Sequence, residues 1–314
     1  GIDYVPMEIS SHAIELYRVN NIDVNYAIFT NLGYDHLDFH KTKENYFQSK
    51  LKLFKSLNKE STAFLNYEDK KTSIIINEIN CKYLTYGFNS KSDLYIKKYN
   101  LGLNSSKALL CYRNDHFTIN TNLIGKFNLL NISAAIICCI EIGISIDSIV
   151  ESIKYLKNIP GRLEKYSLNN NNTVIIDYAH TPDAFKNIYE NISILKQKNK
   201  KIISLFGCGG DRDKTKRPLM AKIAEQYSHL IYLTNDNPRF ENEDTILKDI
   251  TSELKTDNYL IIKNRKKAIN TALSNHSDSI ILILGKGIEE YQITGNKKIP
   301  HSDIKIVTDY KYAN

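Results

Sequence analysis

Thr173-Val174-Ile175-Ile176-Asp177-Tyr178-Ala179-His180 is a short apolar run that ends in an acid, an aromatic ring and an imidazole. It follows the asparagine-rich loop 169–172 and opens a regular alternation. Apolar runs recur at 201–205, 230–233, 259–262 and 279–284, with stretches of helical periodicity between them. Strand-length runs alternating with helices specify a parallel sheet with crossover helices, a Rossmann-like α/β domain, here over residues 160–314. Polar motifs sit just after the runs. Besides Asp177 to His180 they are Gly207-Cys208-Gly209-Gly210-Asp211-Arg212-Asp213, Asp236-Asn237-Pro238-Arg239 and Gly285-Lys286-Gly287-Ile288-Glu289. Open α/β sheets bind ligands at these strand ends. The glycines after the second run lack the G-x-G-x-x-G spacing and no ribose-binding acid follows, which excludes a nicotinamide-dependent dehydrogenase.

Outward from this domain, the helical pattern breaks at Ile159-Pro160-Gly161, setting residues 1–159 apart. There, Glu8 follows the apolar run Tyr4-Val5-Pro6-Met7, and Asp35-His36 follow Tyr26-Ala27-Ile28-Phe29. Read as buried parallel strands, both runs end at one sheet edge. Tyr46-Phe47-Gln48-Ser49-Lys50 then puts Lys50 on a helix beyond His36. Each of the three is an ordinary solvated residue type when alone. An acid, an imidazole and a lysine converging from three places suit a metal and phosphate site. Residues 61–125 carry short alternating runs between Asn, Ser, Gly and Asp, the pattern of an antiparallel patch. A long apolar helix begins at Gly125-Lys126-Phe127-Asn128 and runs to about Ile142. Asn128 is expected to cap it, with Asn131 one turn further on the same side.

The 314 residues suffice for two domains with filled cores. With 42% hydrophobic and 25% charged residues, the chain has the composition of a soluble globular protein. No apolar run approaches the ~20 residues of a membrane helix, and no secretory pattern opens the chain. The net charge of +7 comes from scattered lysines with no aromatic-basic motif, which favours anionic small substrates over nucleic acid. Five cysteines without a C-x-x-C pair suit a reducing cytoplasm. No G-x-x-x-x-G-K-S/T phosphate loop occurs: Gly125-Lys126-Phe127 and Gly285-Lys286-Gly287 both lack the hydroxyl residue.

In order and spacing these motifs resemble the Mur ligases of peptidoglycan synthesis, nearest the branch that adds the third residue of the stem peptide. The resemblance rests on Met7-Glu8-Ile9-Ser10-Ser11-His12-Ala13, on 29–40 with Asp35-His36-Leu37-Asp38, on Tyr46 with Lys50, on Gly125 to Asn131 with Ala134-Ala135, on Gly161-Arg162-Leu163-Glu164, and on the three later loops. It implies the rear part of a P-loop-type central domain in 1–159 and a Rossmann-like C-terminal domain in 160–314. In the family a nucleotide-sugar-binding domain and the phosphate loop come first, so this chain alone is expected to be inactive.

The resemblance further implies an ATP-dependent acid–amino-acid ligase. The γ-phosphoryl group goes to a substrate carboxylate, and an amine attacks the acyl phosphate. Glu8, His36 and a carbamylated Lys50 would be the catalytic positions that handle Mg2+. Asn131, Arg162, Asp177 and His180 would meet ATP, and Ser10 and Arg18 would meet UDP-MurNAc-L-Ala-D-Glu. Arg212, Asp236, Asn237, Pro238, Arg239, Gly285 and Glu289 would meet meso-diaminopimelate. Arg239 can grip that substrate's distal carboxylate with a bidentate fork and disfavours the ammonium of lysine. A cytoplasmic monomer without nucleic-acid or membrane partners is expected. Competing readings are a lysine-adding homologue and a non-catalytic ligand-binding or scaffolding remnant. Arg239 weighs against the first; the joint presence of Glu8, His36, Lys50 and Arg239 weighs against the second.

Overall fold

The computed structural model describes residues 1–33, 36–195 and 200–313. They fall into two units: Gly1–Leu101, Ser105–Thr121 and Lys126–Leu156 in one, and Gly102–Asn104, Asn122–Gly125 and Lys157–Asn314 in the other.

The first unit contains α1 (Ser11–Glu15), β1 (Tyr26–Phe29), α2 (Leu37–His40), α3 (Lys43–Lys55), β2 (Thr62–Asn66), α4 (Thr72–Glu78), β3 (Lys82–Gly87), β4 (Leu94–Leu101), β5 (Ser106–Tyr112), β6 (Asp115–Thr121), α5 (Lys126–Glu141) and α6 (Ile146–Lys154). Its six strands form one sheet in chain order. β1 to β4 pair in parallel and β4 to β6 antiparallel, with Ala63 opposite both Ala27 and Tyr83. The helix that carries Lys50, α3, starts on a Thr42 side chain that accepts the Asn45 N–H at 3.1 Å, with Glu44 in its first turn and Lys52 and Lys55 in its last. Tyr46, Phe47, Leu51 and Phe54 recur at helical spacing and pack into a core with Phe29, Leu65 and Ile75. Each such side chain contributes about 1.5–3 kcal/mol by burial.

Two expectations are corrected here. Residues 4–7 form no strand: Tyr4, Val5 and Met7 are exposed, and Pro6 has no N–H for a ladder. The runs at 63–65 and 83–86 do not belong to an antiparallel patch but to β2 and β3, parallel with β1. α4 makes the crossover that parallel pairing requires, and only β4 to β6 are antiparallel.

The second unit contains β7 (Glu164–Ser167), β8 (Thr173–Asp177), α7 (Pro182–Leu195), β9 (Lys201–Phe206), α8 (Lys216–Tyr227), β10 (Leu230–Leu233), α9 (Glu243–Thr251), β11 (Tyr259–Ile261), α10 (Arg265–Asn275), β12 (Ser279–Leu284), β13 (Tyr291–Thr294), β14 (Lys297–Pro300) and α11 (Asp303–Ala313). The sheet order is β11-β10-β9-β12-β8-β7, parallel except for the edge strand β7. This is the Rossmann-like alternation expected from the sequence. All six residues of β12 are buried, as in a central strand covered on both faces. The chain steps outward from β9 to β11, then returns to insert β12 between β8 and β9. Strand order therefore reverses where the loops after β8, β9 and β12 meet, the usual place for a ligand crevice.

One ion pair braces that edge from below. Arg265 and Asp303, both without exposure, pair at 2.7 Å, and Arg265 Nη2 also donates to the Leu284 carbonyl at 2.9 Å, the last of β12. Burial would lift the Asp303 carboxyl, but the Arg265 charge and bonds from His301 and Arg265 hold it well below its ordinary value. Among the described residues no helix is long and apolar enough to cross a membrane, and the five cysteines are free thiols.

Candidate functional site

In the first unit, α1 is tied to α2 and α3 by polar bonds. Ser10 caps α1 by accepting the Ala13 N–H at 3.1 Å. His40 Nε2 lies 2.9 Å from Ser11 Oγ, Ser49 Oγ donates to the Ser11 carbonyl at 3.0 Å, and Lys52 Nζ reaches both Glu15 oxygens at 2.8 Å. This framework gathers three imidazoles. The His12 ring lies edge-on to His36 at 4.8 Å and 5.6 Å from His40. Tyr46 lies 5.8 Å from His36 and 5.2 Å from His40, and Lys50 Nζ sits over the Tyr46 ring at 5.1 Å. His36 has φ +58°, a left-handed conformation that costs a non-glycine residue about 1–2 kcal/mol.

His36 and Lys50 each lie near the Tyr46 ring. Glu8 is exposed, two residues before the Ser10 cap, and Arg18 is exposed in the turns after α1. Asp35 of the sequence motif lies outside the described residues. Among those described, no three His, Cys, Asp or Glu side chains are grouped to hold a metal ion. Mg2+ commonly takes only one or two protein ligands and fills its shell with phosphate and water. One exposed carboxylate and one imidazole fit that kind of site, whereas an unmodified Lys50 ammonium would repel the ion. On α5, Asn131 is exposed, and its Nδ2 lies 3.5 Å from Oδ1 of the buried Asn128. Asn128 is the third residue of the helix and not its cap, because the helix already begins at Lys126.

In the second unit the strand-end motifs interlock. Asp177 ends β8, and its buried carboxylate accepts the Leu163 N–H at 2.8 Å and the Ala179 N–H at 2.7 Å. Burial still lifts its carboxyl above the ordinary value. The Arg162 guanidinium lies over the Tyr178 ring at 4.9 Å, and the His180 ring stands edge-on to Tyr178 at 4.8 Å. Gly161, at φ +65°, lets these loops close, since a Cβ there would lie 2.5 Å from the Ile288 nitrogen. Arg162, Asp177 and His180 thus share one neighbourhood. Asn131 belongs to the other unit.

The loops after β9, β10 and β12 form a second group. Gly210 N–H donates to the Asn237 carbonyl at 2.9 Å, and Arg239 Nη1 donates to the Gly210 carbonyl at 2.8 Å. Arg239 is half-buried at φ +53°, held by its N–H on the Ile293 carbonyl at 3.0 Å and by Gly295 N–H on its own carbonyl at 2.7 Å. Ile293 N–H donates to Asn237 Oδ1 at 2.9 Å, and Gln292 Nε2 to the Asp236 carbonyl at 2.8 Å. The β13–β14 hairpin therefore sets the backbone of the Asp236 to Arg239 loop, Pro238 included. Asn237 Nδ2 donates to Glu289 Oε2 at 3.1 Å, and a Cβ on Gly285 would lie 3.0 Å from Asp236 Oδ2. Arg212 is exposed on the loop after β9.

Comparison with known proteins matches residues 1–139 to the Mur ligase middle domain and residues 161–287 to the Mur ligase, glutamate ligase domain. The chain belongs to the Mur ligase family. It is 41% identical over 313 residues to the UDP-N-acetylmuramoyl-L-alanyl-D-glutamate--2,6-diaminopimelate ligase 1 of Clostridium acetobutylicum, covering 98% of this chain and 64% of that protein. It is 41% identical over 310 residues to the corresponding ligase of Fusobacterium nucleatum, covering 97% and 63%. A solved structure of a UDP-N-acetylmuramoyl-L-alanyl-D-glutamate--2,6-diaminopimelate ligase superposes with a TM-score of 0.62 at 31% identity, covering 97% of this chain and 63% of that one. A MurF ligase from Thermotoga maritima in complex with ADP shares the fold, with a TM-score of 0.69 at 16% identity, over 96% and 64%. The chain thus spans less than two thirds of the length of these relatives.

Several residues of this Mur ligase chain went unassigned in the sequence. His12 and His40 stand inside the quoted motifs, and a second and third histidine beside His36 could have signalled the imidazole cluster. Lys286 was given no role of its own in the strand-end motif or the failed phosphate loop that contains it, yet it is fully buried. Arg217 is also fully buried, and donates to both Glu241 oxygens, to Asp249 Oδ2 and to the Gly209 carbonyl. It ties the loop after β9 to the one after β10, and no local pattern marks it.

Proposed function

We propose that the protein carrying this chain is an ATP-dependent amide ligase joining meso-diaminopimelate to UDP-MurNAc-L-Ala-D-Glu in the cytoplasm, acting as a monomer. The observation that carries the reading is the joined loop pair, in which Asn237 Nδ2 meets Glu289 Oε2 at 3.1 Å with Arg239 two residues along. A guanidinium for a carboxylate and a carboxylate for an amine answer the two charges on one end of diaminopimelate. Lysine has no carboxylate there. Arg212 supplies a further cation, and Asp236, Pro238 and Gly285 shape the loops. Residues 1–159 are the ATPase-type domain and residues 160–314 the amino-acid-binding domain.

Arg162, stacked on Tyr178 beside His180, and the Asn131 amide serve ATP, while Asp177 holds the surrounding backbone. Ser10 keeps a hydroxyl hydrogen to donate while its oxygen caps α1, and Arg18 offers a charge to the anionic UDP-sugar peptide. Glu8 and His36 would hold Mg2+, which when bound would offset phosphate charge. Lys50 as a carbamate turns a cation over the Tyr46 ring into an anion. Phosphoryl transfer asks chiefly for such positioning and charge balance.

The test, on the whole protein that carries this chain, is ATP-dependent phosphate release with UDP-MurNAc-L-Ala-D-Glu and either meso-diaminopimelate or lysine. Release should need diaminopimelate and be far slower with lysine. Equal release with both amino acids would remove the specificity, and no release with either would remove the ligase.

A further inference from the structure

Lys286 has no part in the reading above, yet its side chain is wholly out of water. A buried ammonium is costly unless its N–H groups find acceptors, and carboxylates by preference. Its hydrogen-bond and ion-pair partners come from the loops after β10 and β12, and the Tyr291 ring of β13 lies 5.8 Å from Nζ. Nζ donates to Glu289 Oε2 at 2.8 Å and to Asn237 Oδ1 at 3.2 Å, and Asp236 Oδ1 lies 3.9 Å away. Asn237 is thereby fixed at both ends of its amide. Its oxygen takes Lys286 and the Ile293 N–H, and its nitrogen donates to Glu289 Oε2 at 3.1 Å. Both bonds to Glu289 fall on Oε2, and neither uses Oε1.

Charge points the same way. Within 3.9 Å of Lys286 Nζ, Asp236 and Glu289 bring two negative charges against its one positive charge, and Arg239 of the same loop is left for a carboxylate. The remainder is a single negative charge, matched to one ammonium group. Without Lys286, the Glu289 carboxylate would keep only the Asn237 amide, a neutral donor that itself would lose an acceptor-side bond.

We propose that Lys286 is a positioning residue for the amine end of the amino-acid substrate, holding the Glu289 carboxylate by Oε2 so that Oε1 accepts the substrate ammonium. This rests on the reading that these loops bind diaminopimelate. Lys286 touches no substrate atom; it acts through Glu289 and Asn237.

The experiment is a double-mutant cycle on the full 314-residue chain, reading the Kd of meso-diaminopimelate by calorimetry. The variants are Lys286→Met, Glu289→Gln and both together, with Arg239→Ala as a control. Lys286→Met should weaken binding about ten- to a hundredfold, the range of coupling between contacting charged groups. In the Glu289→Gln background the same substitution should add less than about twofold, because its route to the substrate is already cut. Lys286→Gln, which keeps a polar donor, repeats the cycle if Lys286→Met does not fold. A wild-type affinity retained by Lys286→Met overturns the proposal, and so does an equal loss in both backgrounds, which marks a merely structural lysine. If the wild-type chain does not bind diaminopimelate, or Arg239→Ala binds as wild type does, the functional reading fails and this proposal falls with it.

Discussion

Arg217 donates to both carboxylate oxygens of Glu241, Nη1 to Oε1 at 2.8 Å and Nη2 to Oε2 at 2.7 Å, with its own side chain fully buried. Those bonds hold the Glu241 carboxyl well below its ordinary value of 4.5. A carboxyl depressed in the folded state stabilises the fold above its unfolded value and loses that contribution as pH falls. Unfolding midpoints of the wild-type chain should therefore drop progressively below about pH 4.5. Arg217→Met should be less stable at neutral pH by up to about 3–5 kcal/mol, the cost of breaking a buried ion pair, less what Lys214 at 2.9 Å from Glu241 retains. Its midpoint should also fall less steeply with acid. Parallel pH profiles for the two proteins would remove Glu241 as the titrating group.

The Arg265–Asp303 pair gives a second stability prediction. Arg265 Nη1 has no hydrogen-bond partner, so the pair is not fully satisfied. Removing one member leaves a buried charge and should cost about 3–5 kcal/mol, whereas replacing both by apolar residues is often near neutral. Urea midpoints should show Arg265→Met far below wild type and Arg265→Met/Asp303→Leu recovering most of the loss. A double variant no better than the single one would mean that the bond to Leu284, and not charge balance, carries the effect.

The two units were not equally legible. The five apolar runs from 173 to 284 appear as β8 to β12; β8, β9, β10 and β12 are largely buried parallel strands, which read as unbroken hydrophobic stretches, and β11 is a largely exposed edge strand. β7 and the β13–β14 hairpin were missed, as they are half-exposed or exposed and carry no such run. Residues 4–7 show the opposite failure, an apolar run that pairs with nothing among the described residues. At the candidate site, the loops were visible as polar motifs after strands. The roles of Lys286 and Arg217 were not, because a fully buried cation looks like a surface one until the chain folds around it.

Lys50 is half-buried over the Tyr46 ring. Removing that cation–π contact should cost only about 0.5–1 kcal/mol of stability. As a carbamate beside the metal and phosphate, the same residue would matter far more to turnover. Lys50→Ala should keep its melting temperature within a few degrees while ligation falls on the order of a hundredfold or more, as when a group stabilising transition-state charge is lost. Added acetate or bicarbonate should restore part of the rate. Turnover equal to wild type would dispose of the carbamate.

Under the proposed function, Arg239 would divide its guanidinium between structure and substrate. Nη1 donates to the Gly210 carbonyl at 2.8 Å, which docks the arginine on the neighbouring loop and leaves its other N–H groups for a carboxylate. Losing one buried charge-assisted pair costs about 2–5 kcal/mol. Arg239→Ala should therefore lower kcat/KM for diaminopimelate roughly tens- to thousands-fold, with the KM for ATP little changed. Lysine should become a relatively better, though still poor, substrate, because the charge that repels its ammonium is gone. Arg239→Lys should not rescue, since an ammonium has no planar fork to bond the Gly210 carbonyl and grip a carboxylate together. The measurement is a set of four rates, each amino acid with wild type and with Arg239→Ala. If the ratio of diaminopimelate to lysine is the same in both proteins, Arg239 does not select the substrate, and its left-handed backbone serves the hairpin alone.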